Sequence, residues 1–398
     1  MKVIPPLRAT PFAIEPAMLT SATANGISLA EPAVGETAWT SGATFGLGAQ
    51  AILGAPSSAV TMTIASPGVV TWASHGLPDG TLLRLTTTGA LPTGLSAGVD
   101  YYILASTANT FQLSTEADGA PIVTSGSQSG THTATAQVHR TYESLVAGNT
   151  GHPPAIDDGT NWIDVGPTNK WAMLDLLRNT QTICASPLVV TLTPGERVDA
   201  IGAVGLVADS ITFQVSSVIG GGVVYTYTQS LILRPTTSWY TYFFGRFRQA
   251  GEAARFDLPP YVDAVVTVTL TRAAGNVRCG GIVIGRQIDL GQTQFEPTAD
   301  ADNYSKINRD DFGTAELIPR RSVPTTSQRV RCAKTDVDKI LQAKDDLNAV
   351  PALWSGLDDS ADGYFGALLI LGIYRRWQIT LAQDAPDVAM QQLDLEEV

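Results

Sequence analysis

The chain has 398 residues, 16% of them charged, with a formal net charge of -12. That length allows several domains with their own cores and excludes a single small one. The acidic balance argues against a nucleic-acid phosphate backbone as the main partner, because neutralising phosphates takes clustered Lys and Arg.

Sparse charge and abundant Thr, Ser, Gly and Ala are the composition of short strands joined by tight turns, so a mainly β fold is expected. Cys184, Cys279 and Cys332 are odd in number, widely spaced and without a CxxC pair. They read as buried free thiols, with neither a disulfide scaffold nor a zinc site. The opening "MKVIPPLRATPFAIEP" lacks the charged and apolar regions of a signal peptide, and no window reaches about 18 apolar residues. Synthesis in the cytosol and no membrane span are the expectations.

In chain order, residues 1–35 are rich in Pro, Ala, Thr and Gly without a helical period, and read as an extended N-terminal arm that lies on a neighbour. Residues 56–138 alternate apolar and polar positions in 81–86, 100–105 and 110–114, broken by "LPDG", "LPTG" and "ADGAP". These are hairpin signals, and the block reads as one compact β-module. Within 167–290 six runs rich in Val, Ile, Thr, Tyr and Phe predict a central jelly-roll-like β-sandwich: "LVVTLTPG", "ITFQVSS", "VVYTYTQSLIL", "WYTYFFGRF", "AVVTVTLTR" and "GGIVIGRQI". From 291 to 398 the texture changes. "TDVDKILQAKDDL" (335–347) places Val337, Ile340, Leu341 and Leu347 at helical spacing behind a Thr/Asp start, and apolar runs such as "YFGALLILGIY" (364–374) follow. A small α+β C-terminal domain is expected there.

Candidate chemistry is thin. A glycosidase needs two carboxylates at a fixed separation. Asp157, Asp158, Asp164, Asp175, Glu296 and the pair Asp310 and Asp311 are available, but Asp in Gly-flanked turns is ordinary turn chemistry. His75, His132, His139 and His152 stand beside Gly, Thr or Pro and outside any GxSxG context. "DADNYSKINRDD" (300–311) starts like a calcium loop, yet Ser305 replaces the Gly at its sixth place and Asp311 the Glu at its twelfth. No catalytic residue, no metal and no cofactor are assigned. Trp39, Trp162 and Trp171 lie at turn-rich edges where an aromatic face could stack on a sugar, against the alternative of packed core tryptophans.

The block 56–138, through His75-Gly76-Leu77, "TTTGALPTGL", Tyr101-Tyr102 and "ANTFQLS", resembles a β-module inserted in structural proteins of tailed bacteriophages. With it removed, "ETAWTSGATFGLGAQAILG" (36–54) meets "HRTYESLVAGNTGHPPAIDDGTNWIDVG" (139–166). The joined text is similar to the small chitin-binding-type module of chitinases and phage tail proteins, with Trp39, Tyr142, Asn149, Pro153, Pro154 and Trp162 at the pattern positions. "VGPTNKWAMLD", "RCGGIVIGRQIDLGQT" and "YSKINRDDFGTAELIPRR" are similar to segments of the same virion proteins. The resemblance implies a virion structural protein of the tail or its distal end, made in the host cytoplasm and not an enzyme. Its partners would be copies of itself and other tail proteins. A host cell-surface glycan is a further candidate, with Trp39, Tyr142 and Trp162 as its ligand-binding residues. A glycan-binding receptor protein and a glycan-degrading tail enzyme are the rival readings.

Overall fold

The computed structural model describes residues 1–398 except 10, 234–237, 246–247, 310, 360–361, 363 and 382–386. The chain is mainly β, in many small sheets and one small barrel. It forms two compact units, Met1–Leu29 with Asn169–Val398, and Ala30–Thr168.

The first unit is organised around a three-stranded sheet, Ala253–Arg255, Ala200–Val204 and Gly281–Gly285, whose two longer strands are buried at every position. Their sequences, AIGAV and GIVIG, are small and apolar without alternation, as a strand covered on both faces requires. On one face Ile201, Ala203, Ile282 and Ile284 pack with Leu188, Val190, Phe213 and Val268 of a six-stranded sheet. That sheet is open to water on its far side, so Ser210–Ser216 and Val265–Thr271 alternate between buried and more exposed positions. On the other face Ala200, Val204 and Val283 share a core with Ile4, Leu353, Leu369 and Leu371. Gly202 lies on this second face, where a Cβ would stand 2.0 Å from Leu353 Cδ2, so only glycine lets the sheets approach this closely.

Leu353 belongs to an eight-stranded sheet built from both ends of the chain, in which Lys2–Ile4 pairs with Ala352–Ser355 and with Ile288–Asp289. The helix Val337–Asp346 buries Ile340 and Ala343 in a core with Val330, Trp354 and Trp377. Trp354 donates its indole N–H to the Gly372 carbonyl at 2.9 Å, which satisfies the one polar atom of a fully buried ring.

Three expectations change. The N-terminal segment is not an arm lying outside its own chain: Lys2–Ile4 joins the eight-stranded sheet, and Leu19–Ala24 pairs with Leu188–Leu192 in the six-stranded one. The stretch 239–247, read as a strand, is a helix over Trp239–Phe244 with 246–247 outside the described residues. Ser238 and Thr241 close a reciprocal capping box there, which outweighs the strand preference of the aromatic run. The division at residue 290 is bridged by the cluster on the second face of the three-stranded sheet, which draws on residues from both sides of it.

In the second unit, strands at 57–62, 70–71, 82–87, 100–104, 110–114 and 132–137 close a barrel. Leu83, Leu85, Tyr101, Ile103, Phe111, Leu113, Ala134 and Ala136 fill it from the inward positions of alternating strands. Arg84 binds Asp100 on the neighbouring strand through two hydrogen bonds of 2.8 Å. A smaller module stands on Gln50–Leu53, Arg140–Ser144 and Trp162–Pro167, with Thr44–Phe45 paired to Asn149–Thr150. Gly76 joins barrel to module: it has φ +58°, and a Cβ there would lie 2.5 Å from Pro153 Cβ.

Candidate functional site

The small module draws Trp39, Tyr142 and Trp162 together. Phe45, Ala51, Leu53, Tyr142 and Trp162 form its core, and Trp39 packs against the edge. Trp162 is 2% exposed and meets Phe45 edge-on at 5.1 Å between ring centroids. Tyr142 is also buried, and burial, reinforced by Asp164 and opposed by Arg140, pushes its hydroxyl pKa up to about 12. Trp162 and Tyr142, expected as sugar-stacking residues, are thus placed in the core, where both supply the apolar area that a module this small needs. Trp39 is half-buried and is the member of the three with ring surface at the exterior. Its indole N–H donates to the His152 carbonyl at 3.1 Å. Trp171, the other tryptophan read as a stacking candidate, packs on Phe12 at 4.7 Å in the core of the first unit.

The loop before Trp162 is built by Asp157. Its Oδ2 accepts backbone N–H groups from Gly159, Asn161 and Trp162 at 3.1, 2.9 and 2.9 Å, and Oδ1 accepts from the Asn161 amide at 2.9 Å. Partial burial pushes its pKa up, but these hydrogen bonds outweigh it and hold the carboxyl below its ordinary value. Asp158 accepts from Thr160, Asp164 is paired with Arg140, and Asp175 accepts from the Leu177 N–H. These four acids are turn and strand fasteners. Asp310 lies outside the described residues, and Asp300 and Asp302 fall within a strand, Thr298–Asn303, paired with Ser322–Ser327. Among the described residues no group of three or more His, Cys, Asp or Glu is placed to hold a metal ion.

Three of the four histidines are likewise engaged. His132 meets Thr87 Oγ1 at 2.8 Å. His139 places Nδ1 2.8 Å from Glu31 Oε2 and Nε2 2.9 Å from Gln137 Oε1, while Glu31 Oε1 accepts from the Thr168 hydroxyl at 2.7 Å. His75 accepts the Leu77 N–H through Nδ1. The three cysteines are buried free thiols, and burial raises Cys184 to about 11.

One titratable cluster had no sequence signal, because its members are far apart in the chain. Arg178 contacts Glu252 at 2.5 Å and Glu397 at 2.6 Å, and Arg321 also binds Glu397. Burial raises the Glu252 pKa, with Arg178 opposing it. Each carboxylate is occupied by an arginine, so the cluster ties the C-terminal strand to the rest of the first unit.

The surface feature that stands out is a ribbon. Lys306–Arg309 and Ala315–Ile318 pair with each other, with Ile307 opposite Leu317, and every residue but Ile318 is exposed. Phe312 in the turn is 95% exposed, and Phe295, just before the preceding strand, 97%. Periodicity within 304–323 is too short and too charged to signal it. No family model, no curated protein and no solved structure matches this chain. No helix among the described residues is long and apolar enough to cross a membrane.

Proposed function

We propose that this chain is a structural protein of a tailed-bacteriophage virion, in the tail or its distal baseplate region, acting in assembly. The observation that carries the reading is the exposed ribbon 306–318 with Phe312, Ile307 and Leu317 in water. The ribbon continues the pairing of Thr298–Asn303 with Ser322–Ser327, and over 306–309 and 315–318 it has no third strand among the described residues, so both of its edges are open to a neighbour. Exposed apolar side chains on a projecting element suit burial at a subunit contact. The phage-like motifs of 36–166 supply the tail assignment, and the partners are copies of the same chain and other tail proteins. On this reading the protein is made in the host cytoplasm, ends in the virion and is not an enzyme. Its turn carboxylates hold loops and perform no hydrolysis.

Mass photometry over a range of concentrations tests assembly, with antibody labelling of intact particles testing location. The wild type is expected to form a ring or other closed multimer and to label the tail. The Phe312→Ser/Leu317→Ser variant is expected to stay folded and monomeric. A wild type that remains monomeric at every concentration and leaves particles unlabelled would sink the proposal. Glycan recognition is a second reading, favoured by the partly exposed Trp39 ring. It requires glycan-array binding that disappears in Trp39→Ala.

A further inference from the structure

We propose that the aromatic turn Trp239–Phe244 is a lipid-surface probe that enters the headgroup region of an anionic bilayer. The turn lies between two short strands, in which Ile232 pairs with Gln249 and Leu233 with Arg248. It buries none of its residues: Trp239 is 80% exposed, and Tyr240, Tyr242, Phe243 and Phe244 are exposed with it. These rings contact one another, Trp239 with Phe243 at 6.2 Å and Tyr240 with Phe244 at 5.2 Å.

The arrangement of the rings selects the partner. A helix that docks on a protein face carries one apolar stripe and a polar back. Five aromatic residues within six consecutive positions leave no polar back, so the surroundings that suit this turn enclose it from every side instead of covering one face. A lipid interface meets that condition, and Trp and Tyr are the side chains that settle at headgroup level. The turn is closed by bonds of its own: Ser238 Oγ accepts the Thr241 N–H at 3.2 Å, Thr241 Oγ1 accepts the Ser238 N–H at 2.9 Å, and the Gly245 N–H closes on the Thr241 carbonyl. Charge points the same way. In sequence, residues 231–249 hold three arginines and no Asp or Glu, in a chain whose net charge is -12. A local basic segment in an acidic protein complements anionic headgroups, from which the rest of the chain is repelled. The proposal does not depend on the assembly reading.

The test floats the full-length protein with vesicles of phosphatidylglycerol and phosphatidylcholine, and with vesicles of phosphatidylcholine alone. The wild type is expected to rise with the anionic vesicles and to be released by salt. Trp239→Ser/Phe243→Ser/Phe244→Ser is expected to bind on the order of a hundredfold more weakly, with unchanged thermal unfolding. As a check independent of that variant's behaviour, brominated acyl chains should quench the emission of the wild type, and Trp239→Phe should lose that quenching. Absence of flotation, or flotation and quenching indifferent to these substitutions, overturns the proposal. So does a wild type that ignores vesicles but loses self-association in the triple variant, which would assign the turn to a protein contact.

Discussion

The indole N–H groups of Trp39 and Trp162 converge on a single acceptor, the His152 carbonyl oxygen, at 3.1 and 2.9 Å. Sharing one carbonyl fixes the two rings relative to each other, but their burial differs. Trp162→Ala is expected to cost about 3–5 kcal/mol, as for other buried aromatics. Trp39→Ala loses a half-exposed ring and one hydrogen bond, about 1 kcal/mol. Because a chain of two units need not unfold in one step, hydrogen exchange of the amides in 140–144 and 162–167 is the appropriate readout. Equal loss of protection in the two variants would contradict the placement of Trp162 at the centre of this core.

His75 makes barrel stability depend on pH. Burial lowers its pKa from the ordinary value, with the Thr110 and Thr107 carbonyls pulling the other way. A base with a lowered folded-state pKa takes up its proton first in the unfolded chain. Its contribution is therefore intact above the ordinary histidine pKa of about 6.5 and is lost as the pH falls below that value towards the folded one. Barrel protection is expected to weaken as the pH falls below about 6.5, and less steeply in His75→Asn, whose side-chain oxygen can still accept from Leu77. Parallel pH curves for the two proteins would refute this.

Close approach at Gly202 and Leu353 predicts a non-additive pair. Gly202→Ala sets a methyl against Leu353 and is expected to destabilise by about 1–3 kcal/mol, as overpacking does. Leu353→Ala alone opens a cavity and costs about 2–5 kcal/mol. The double variant should cost less than the sum, because each change relieves the other. Urea denaturation followed by far-UV circular dichroism measures the cycle, and strict additivity would mean that the two sites do not meet.

Legibility followed the range of the interactions. The alternation of 210–216 and 265–271 is a local consequence of one wet and one dry face, so those strands are visible in sequence, as are the hairpin turns of the barrel. The pairing of Lys2–Ile4 with Leu353–Ser355 joins opposite ends of the chain and leaves no local trace, which is why the N-terminus resembled a free arm. At 239–244 the aromatic run speaks for a strand, and the signal for a turn of helix was the Ser238 and Thr241 pair three residues apart. For the candidate site, Trp39, Tyr142 and Trp162 were legible as neighbours through their motif. That two of them face inward was not, because a tryptophan that closes a small core and one that stacks on a ligand occupy the same kind of turn-rich text.

Glu31 binds both His139 and Thr168, so the second unit has its own beginning and end fastened together. Seen from the first unit, Leu29 and Asn169 are the points between which this cassette is threaded. A guest whose ends already meet spares its host much of the loop-closure entropy that a disordered insertion of equal length would impose on the pairing of Leu19–Ala24 with Leu188–Leu192. The host strands can then find each other almost as if the guest were a short turn.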